Sequence, residues 1–140
     1  MAYFDSSAFV KLVLDEPGTD DARDLFVSAT SVQSSRLLVP EAHAALGRAR
    51  RDRRLGRAGE KRTLDLLRQL LAEVDPLELD ERIADRAGEM ARTLGLRGSD
   101  AVHLASYERA EIASSVLVAS DGALAHAATS LGHAVAVPGR

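Results

Sequence analysis

Short apolar runs alternate with longer amphipathic stretches along nearly all of the 140 residues, and two of those runs lead directly to a carboxylate. Ala2 to Phe4 end at Asp5, and Val116-Leu117-Val118 runs through Ala119 and Ser120 to Asp121. Strands that are apolar throughout and separated by helices read as a parallel sheet covered by helices on both faces. The pattern predicts strands at Ala2–Phe4, Ser31–Gln33, Pro76–Leu79, Ser115–Ala119 and Ala134–Val137. A helix capped by Ser6 or Ser7 is expected to run towards Pro17-Gly18, and a second opens at Thr19 or Asp20. A long helix capped by Ser34 or Ser35 reaches about Arg54, with Pro40 bending it or moving its start. Gly56–Gly59 read as a turn. Further helices are expected over Glu60–Glu73, after Asp80, from Ser99 or Asp100, and over Ala123–Leu131. No repeat, low-complexity segment or linker interrupts residues 1–140, so one domain is expected.

The chain has no cysteine, which excludes disulfides and cysteine-ligated zinc and suits the cytoplasm. The opening residues lack the basic start and apolar stretch of a secretory signal, and no apolar run approaches a membrane span. The net charge of −3 is unevenly spread. Arg48 to Arg68 hold nine basic and three acidic residues, a local charge of +6, which leaves −9 on the rest of the chain. A basic stripe on an acidic body suits a polyanion site beside a cation site, and equally a solvated helix face.

Asp5 and Asp121 follow strands, and in open parallel sheets ligands bind beyond the carboxyl ends of strands, near the point where strand order reverses. Asp100 opens a helix after the Gly95–Gly98 loop. Glu41 lies between Pro40 and an apolar run, where an unpartnered carboxylate is costly to bury. Four converging carboxylates repel one another, and a divalent cation removes the conflict. All-oxygen ligands favour Mg²⁺ or Mn²⁺ over zinc, and such an ion activates water and orients a phosphate. A second reading of the same residues has the acids only capping helices or facing solvent, and the arginines binding RNA or a partner without catalysis.

At these positions the sequence resembles the PIN-domain ribonucleases, and within them the VapC toxins of toxin–antitoxin pairs. The resemblance rests on Tyr3-Phe4-Asp5-Ser6-Ser7-Ala8 with Lys11, on Ser35 and Glu41 with Ala45-Leu46, on Gly98-Ser99-Asp100-Ala101-Val102-His103-Leu104-Ala105, and on Val118-Ala119-Ser120-Asp121 with Leu124, Ala128 and Gly132. It implies a three-layer α/β/α sandwich with a short, mostly parallel central sheet and Mg²⁺- or Mn²⁺-dependent cleavage of RNA. It also implies a homodimer and a VapB-like antitoxin that blocks the site. The family's acidic roles fall on Asp5, Glu41, Asp100 and Asp121, with Asp5, Asp100 and Asp121 holding metal and Ser6 and Ser120 supporting. Arg48, Arg50, Arg51, Arg53 and Arg54 are the candidates for binding RNA or the antitoxin.

Lys11 reads as a solvated lysine. His103 lies on the same helix face as Asp100 and reads as a core histidine under the site. His43, His126 and His133 carry no chemistry in this reading. Other hydrolase and binding classes fit less well. Asp5-Ser6-Ser7 lacks the second Asp of an aspartyl-phosphate hydrolase, the acid pair of a phosphoacceptor domain is missing, and no Gly-x-Gly-x-x-Gly follows a strand.

Overall fold

The computed structural model describes residues 1–110 and 115–140. These residues form five strands and seven helices. In chain order they are β1 (Ala2–Phe4), α1 (Ser6–Val10), α2 (Thr19–Ser28), β2 (Val32–Ser35), α3 (Leu38–Arg51) and α4 (Arg57–Ala72). They continue with β3 (Val74–Leu77), α5 (Glu81–Leu94), α6 (Gly98–Arg109), β4 (Val116–Val118), α7 (Gly122–Ser130) and β5 (Val135–Ala136). The sheet has the order β3-β2-β1-β4-β5 and every pairing is parallel. The chain builds outward from β1 to β3 on one side, then returns to place β4 against β1 on the other, so strand order reverses between β1 and β4.

Side chains alternate across the pleat, and that alternation creates two cores. Ala2 and Phe4 of β1 face α1 to α4, where Phe4 and Phe9 meet Phe26 edge-on with ring centroids 5.6 and 6.2 Å apart. Tyr3, between them, faces the opposite way, into a core built with α5, α6 and α7. β4 repeats the arrangement: Val118 joins the first core and Leu117 the second. The expected sandwich, helices on both faces of a parallel sheet, is therefore what the chain forms. No helix among the described residues is long and apolar enough to cross a membrane.

Element boundaries differ from expectation where serines and prolines were involved. β2 extends through Ser34 and Ser35, because the Ser34 hydroxyl donates to Phe4 O across the sheet (2.7 Å) and the Ser35 N–H donates to the Tyr3 hydroxyl (3.0 Å). Neither serine is the N-cap of α3, which starts at Leu38 with no side-chain cap. Pro40 is the third residue of that helix, where a backbone N–H has no helical partner, so it neither bends nor breaks it. The Val39 N–H bonds back three residues to Arg36 O, and the Glu41 N–H bonds back four to Leu37 O. β3 begins two residues before the expected Pro76, an arrangement open to a prolyl residue because β3 is an edge strand. Gly59 lies inside α4 rather than in a turn. Thr19 and Asp20 do not cap α2. Gly18 does, at φ +89°, and a side chain there would also collide with Pro138, 2.7 Å from the Cβ position.

Leu117 is fully buried between β1 and the second helix layer. Leu117→Ala is expected to lower stability by about 2–5 kcal/mol, read as a shifted urea midpoint.

Candidate active site

β1 delivers Asp5 to the reversal point with 2% of its surface exposed. Its Oδ1 accepts the Ala8 N–H (2.8 Å), so Asp5 is itself the N-cap of α1 and the two following serines are released from that task. Ser7 uses its hydroxyl to full capacity. It donates to the Asp5 carboxylate (2.7 Å to Oδ2) and accepts the backbone N–H groups of Ser120 (3.0 Å) and Asp121 (2.9 Å). One hydroxyl thus joins the end of β1 to the loop after β4.

Asp121 caps α7, with Oδ1 accepting the N–H groups of Ala123 (3.0 Å) and Leu124 (3.1 Å). Its Oδ2 is left for the site and accepts from the Arg97 guanidinium at 3.2 Å. Capping and site membership are therefore compatible for Asp5 and Asp121. Asp100, in the first turn of α6 and 6% exposed, accepts from the same guanidinium at 2.9 Å, and it caps nothing, because the N-cap of α6 is Arg97.

Glu41 arrives from the first turn of α3. Its Oε2 accepts the Ser6 hydroxyl and the His103 ring, with Nε2 at 2.8 Å. His103, 2% exposed, also has Nε2 3.0 Å from Ser6 Oγ, and its Nδ1 lies 2.9 Å from the Tyr3 hydroxyl. A carboxylate only accepts, so the ring nitrogen that faces Glu41, Nε2, carries the proton, and Nδ1 accepts from the Tyr3 hydroxyl, which itself accepts the Ser35 N–H. Burial pushes the Asp5 carboxyl above its ordinary range, opposed only in part by the Ser7 hydroxyl and the Ala8 N–H. Burial also pushes Glu41 up, but hydrogen bonds from His103 and Ser6 outweigh it and hold Glu41 below its ordinary value. Burial raises the Tyr3 phenol far enough that it stays protonated.

All four predicted acids line one cavity of about 620 Å³, together with Ser6, Ser7 and Ser120. The arginine stripe divides. Arg48 and Arg54 line the same cavity, the latter holding Glu16 at 3.3 Å. Arg50 pairs with Glu60 at 3.2 Å, and Arg51 and Arg53 are exposed outside the cavity lining. Lys11 is not solvated: its side chain is 12% exposed and its ammonium donates to Pro17 O at 2.6 Å. His43 turns away from Glu41 to Val39 O. Ser7, Arg97, Tyr3 and His103 are the contributors that sequence reasoning did not assign to the site. Arg97 three residues before Asp100, and His103 three after it, carried the available signal, since i and i+3 share a helix face.

As they lie, no three of the described acids and histidines converge closely enough to hold an ion. Three observations nonetheless fit these residues to a hard divalent cation. The Arg97 guanidinium is already shared by Asp100 and Asp121. The donors are carboxylates and hydroxyls only. The Ser120 hydroxyl is buried with no hydrogen-bond partner among the described residues.

A sheet that reverses at β1 and β4, with acids from four separate elements meeting there, has recognisable relatives. The PIN domain family model spans residues 2–129, and the chain belongs to that family. Within it the chain stands with the VapC ribonucleases. It is 42% identical over 109 residues to Ribonuclease VapC49 of Mycobacterium tuberculosis (strain ATCC 25618 / H37Rv), covering 76% of this chain and 74% of that one. Its fold matches the crystal structure of Mycobacterium tuberculosis VapC20, a Sarcin-Ricin loop cleaving toxin, with a TM-score of 0.72, 18% identity and coverage of 99% and 100%. It also matches VapBC2 from Rickettsia felis, solved bound to a DNA fragment from its promoter, with a TM-score of 0.64, 10% identity and coverage of 98% of each chain.

A carboxyl raised by burial makes the folded state bind its proton more tightly than the unfolded chain does. Stability is then greatest below the ordinary value of 3.8 and falls as pH rises from there through the folded value. In chelator, Asp5→Asn is expected to be more stable than the natural protein at neutral pH, with the gap closing as pH falls towards about 4. Urea unfolding at several pH values measures it.

Proposed function

We propose that residues 1–140 form one nuclease domain that hydrolyses RNA phosphodiester bonds with Mg²⁺ or Mn²⁺, as the toxin of a type II toxin–antitoxin pair. The observation that carries this reading is the meeting of Asp5, Glu41, Asp100 and Asp121 in one cavity that Arg48 and Arg54 also line. Asp5, Asp100 and Asp121 would hold the cation, with Ser6 and Ser120 supporting. When bound, the ion supplies a Lewis acid for the phosphate and lowers the pKa of water.

The chain's own residues do the rest. Ser7 fixes Asp5 relative to Asp121, and Arg97 is free to leave the two carboxylates for substrate phosphate, its side chain being 74% exposed. Glu41, ionised and held by two donors, is the acid suited to take the proton of the attacking water. Arg48 and Arg54 lie where the backbone of an RNA strand would leave the acids, and contacts of this kind read phosphates rather than bases. The names of the VapC relatives support the ribonuclease assignment, and the VapBC2 structure supports a VapB-like antitoxin as partner. A homodimer and a cytoplasmic location complete the proposal.

Capping of α1 and α7 by Asp5 and Asp121 favours a second reading, a nucleic-acid-binding module without catalysis. Purified protein incubated with end-labelled total RNA in Mn²⁺, Mg²⁺ or EDTA separates the two. The nuclease reading expects discrete products that require metal and fall at least about a hundredfold in Asp100→Asn. Cleavage that is metal-independent, or equal in the variant, overturns it.

A further inference from the structure

Tyr3 and His103 are among the most deeply buried polar side chains of the protein, at 1% and 2% exposure. Apolar side chains of the same size would fill that space without polar groups to satisfy. Instead, four groups form one directed chain of hydrogen bonds. The Ser35 N–H donates to the Tyr3 hydroxyl (3.0 Å), the Tyr3 hydroxyl donates to His103 Nδ1 (2.9 Å), and His103 Nε2–H donates to Glu41 Oε2 (2.8 Å). The direction is set by its last member, because an ionised carboxylate only accepts, which puts the ring proton on Nε2 and leaves Nδ1 to accept from Tyr3. Each link therefore presents the next with the one donor it needs, and the last is delivered to a carboxylate on the cavity wall.

We propose that Tyr3 and His103 are positioning residues, and that this buried relay holds the Glu41 carboxylate in place beside the other three acids. The reason lies in where Glu41 comes from. Asp5 and Asp121 are short side chains locked by the caps of α1 and α7, and Asp100 is anchored on α6. Glu41 reaches in from α3, the only one of the four on a longer side chain, and its own helix offers it no cap. Its orientation must be supplied from outside. His103 is fixed by α6, the helix that also carries Asp100, so one rigid element sets two acids at once. Tyr3 sits two residues before Asp5 on β1, so its grip on the His103 ring also refers Glu41 to the strand that carries Asp5. Ser6, which donates to the same Glu41 oxygen, gives that strand end a second hold.

The kinetic part of this inference rests on the nuclease reading, and the spectroscopic part does not. In metal-free natural protein at neutral pH, ring ¹⁵N shifts of His103 should show a single species protonated at Nε2 and unprotonated at Nδ1. A proton on Nδ1 overturns the relay whether or not the protein cuts RNA. In Tyr3→Phe, which removes one oxygen and keeps the ring, the Nδ1 shift should move towards that of a ring nitrogen with no hydrogen bond, and kcat should fall about three- to tenfold with KM little changed. His103→Ala should lower kcat about 10- to 100-fold, and His103→Gln, whose amide keeps a donor towards Glu41, should recover most of it. If the natural protein cuts RNA but Tyr3→Phe keeps both its kcat and its Nδ1 shift, Tyr3 and His103 are only core side chains. If the natural protein cuts nothing under any condition, the nuclease reading fails, and the ring shifts still decide the relay.

Discussion

The site depends first on the Ser7 hydroxyl. β1 and β4 are distant in sequence, and their pairing places Asp5 near Asp121 only approximately. Ser7 makes the approach definite by giving its one proton to the first acid and taking two backbone N–H groups from the loop that holds the second. These backbone donors lie where a buried loop otherwise has unsatisfied groups, so the same contact that orders the site also pays part of the cost of burying the strand end. Loss of that hydroxyl leaves two amides without it and the buried Asp5 carboxylate with the Ala8 N–H in place of two donors.

Around that junction the acids are treated differently according to how they are held. Asp5 is buried and pushed towards its neutral form, whereas Glu41 is held ionised by His103 and Ser6. Environments that drive neighbouring carboxyls apart are a recurring means of giving like groups unlike tasks. Arg97 adds the remaining positive charge from an exposed loop, and it binds Asp100 and Asp121 together. The cavity consequently combines the buried acids Asp5 and Asp100 with Arg48, Arg54 and Lys11 in one lining.

Much of this was legible in the amino-acid order. Apolar runs ending in Asp5 and before Asp121 gave the two strands at the reversal point, and the alternation of runs with helices gave the layered architecture. β2 runs past its expected end because Ser34 and Ser35, weak strand formers, are held by tertiary bonds, above all the Ser34 hydroxyl on Phe4 O, and β3 starts earlier than expected because Val74 and Asp75 pair with Val32 and Gln33. Glu41 was legible as an acid in an apolar stretch, but what holds it was not. The partners of a buried histidine come from β1 and α3, far away in sequence, and no local pattern announces them. Ser7 was hidden for a different reason: a serine after an aspartate at a helix start looks like a cap, and here the aspartate takes that role.

β1 is the earliest strand of this sheet in chain order and also its central one, with β4 on one side of it and β2 on the other. During synthesis its β4 edge therefore stays open until residues 116–118 emerge. Asp100 and Asp121, two of the four acids, are likewise late. An incomplete chain still attached to the ribosome has Asp5 and Glu41 but neither the strand that aligns them nor the acids that complete the cluster. The order of strands thus acts as a timer: the four acids can be brought together only after β4 and Asp121 have been made, and a chain that stops before residue 121 lacks the last of them.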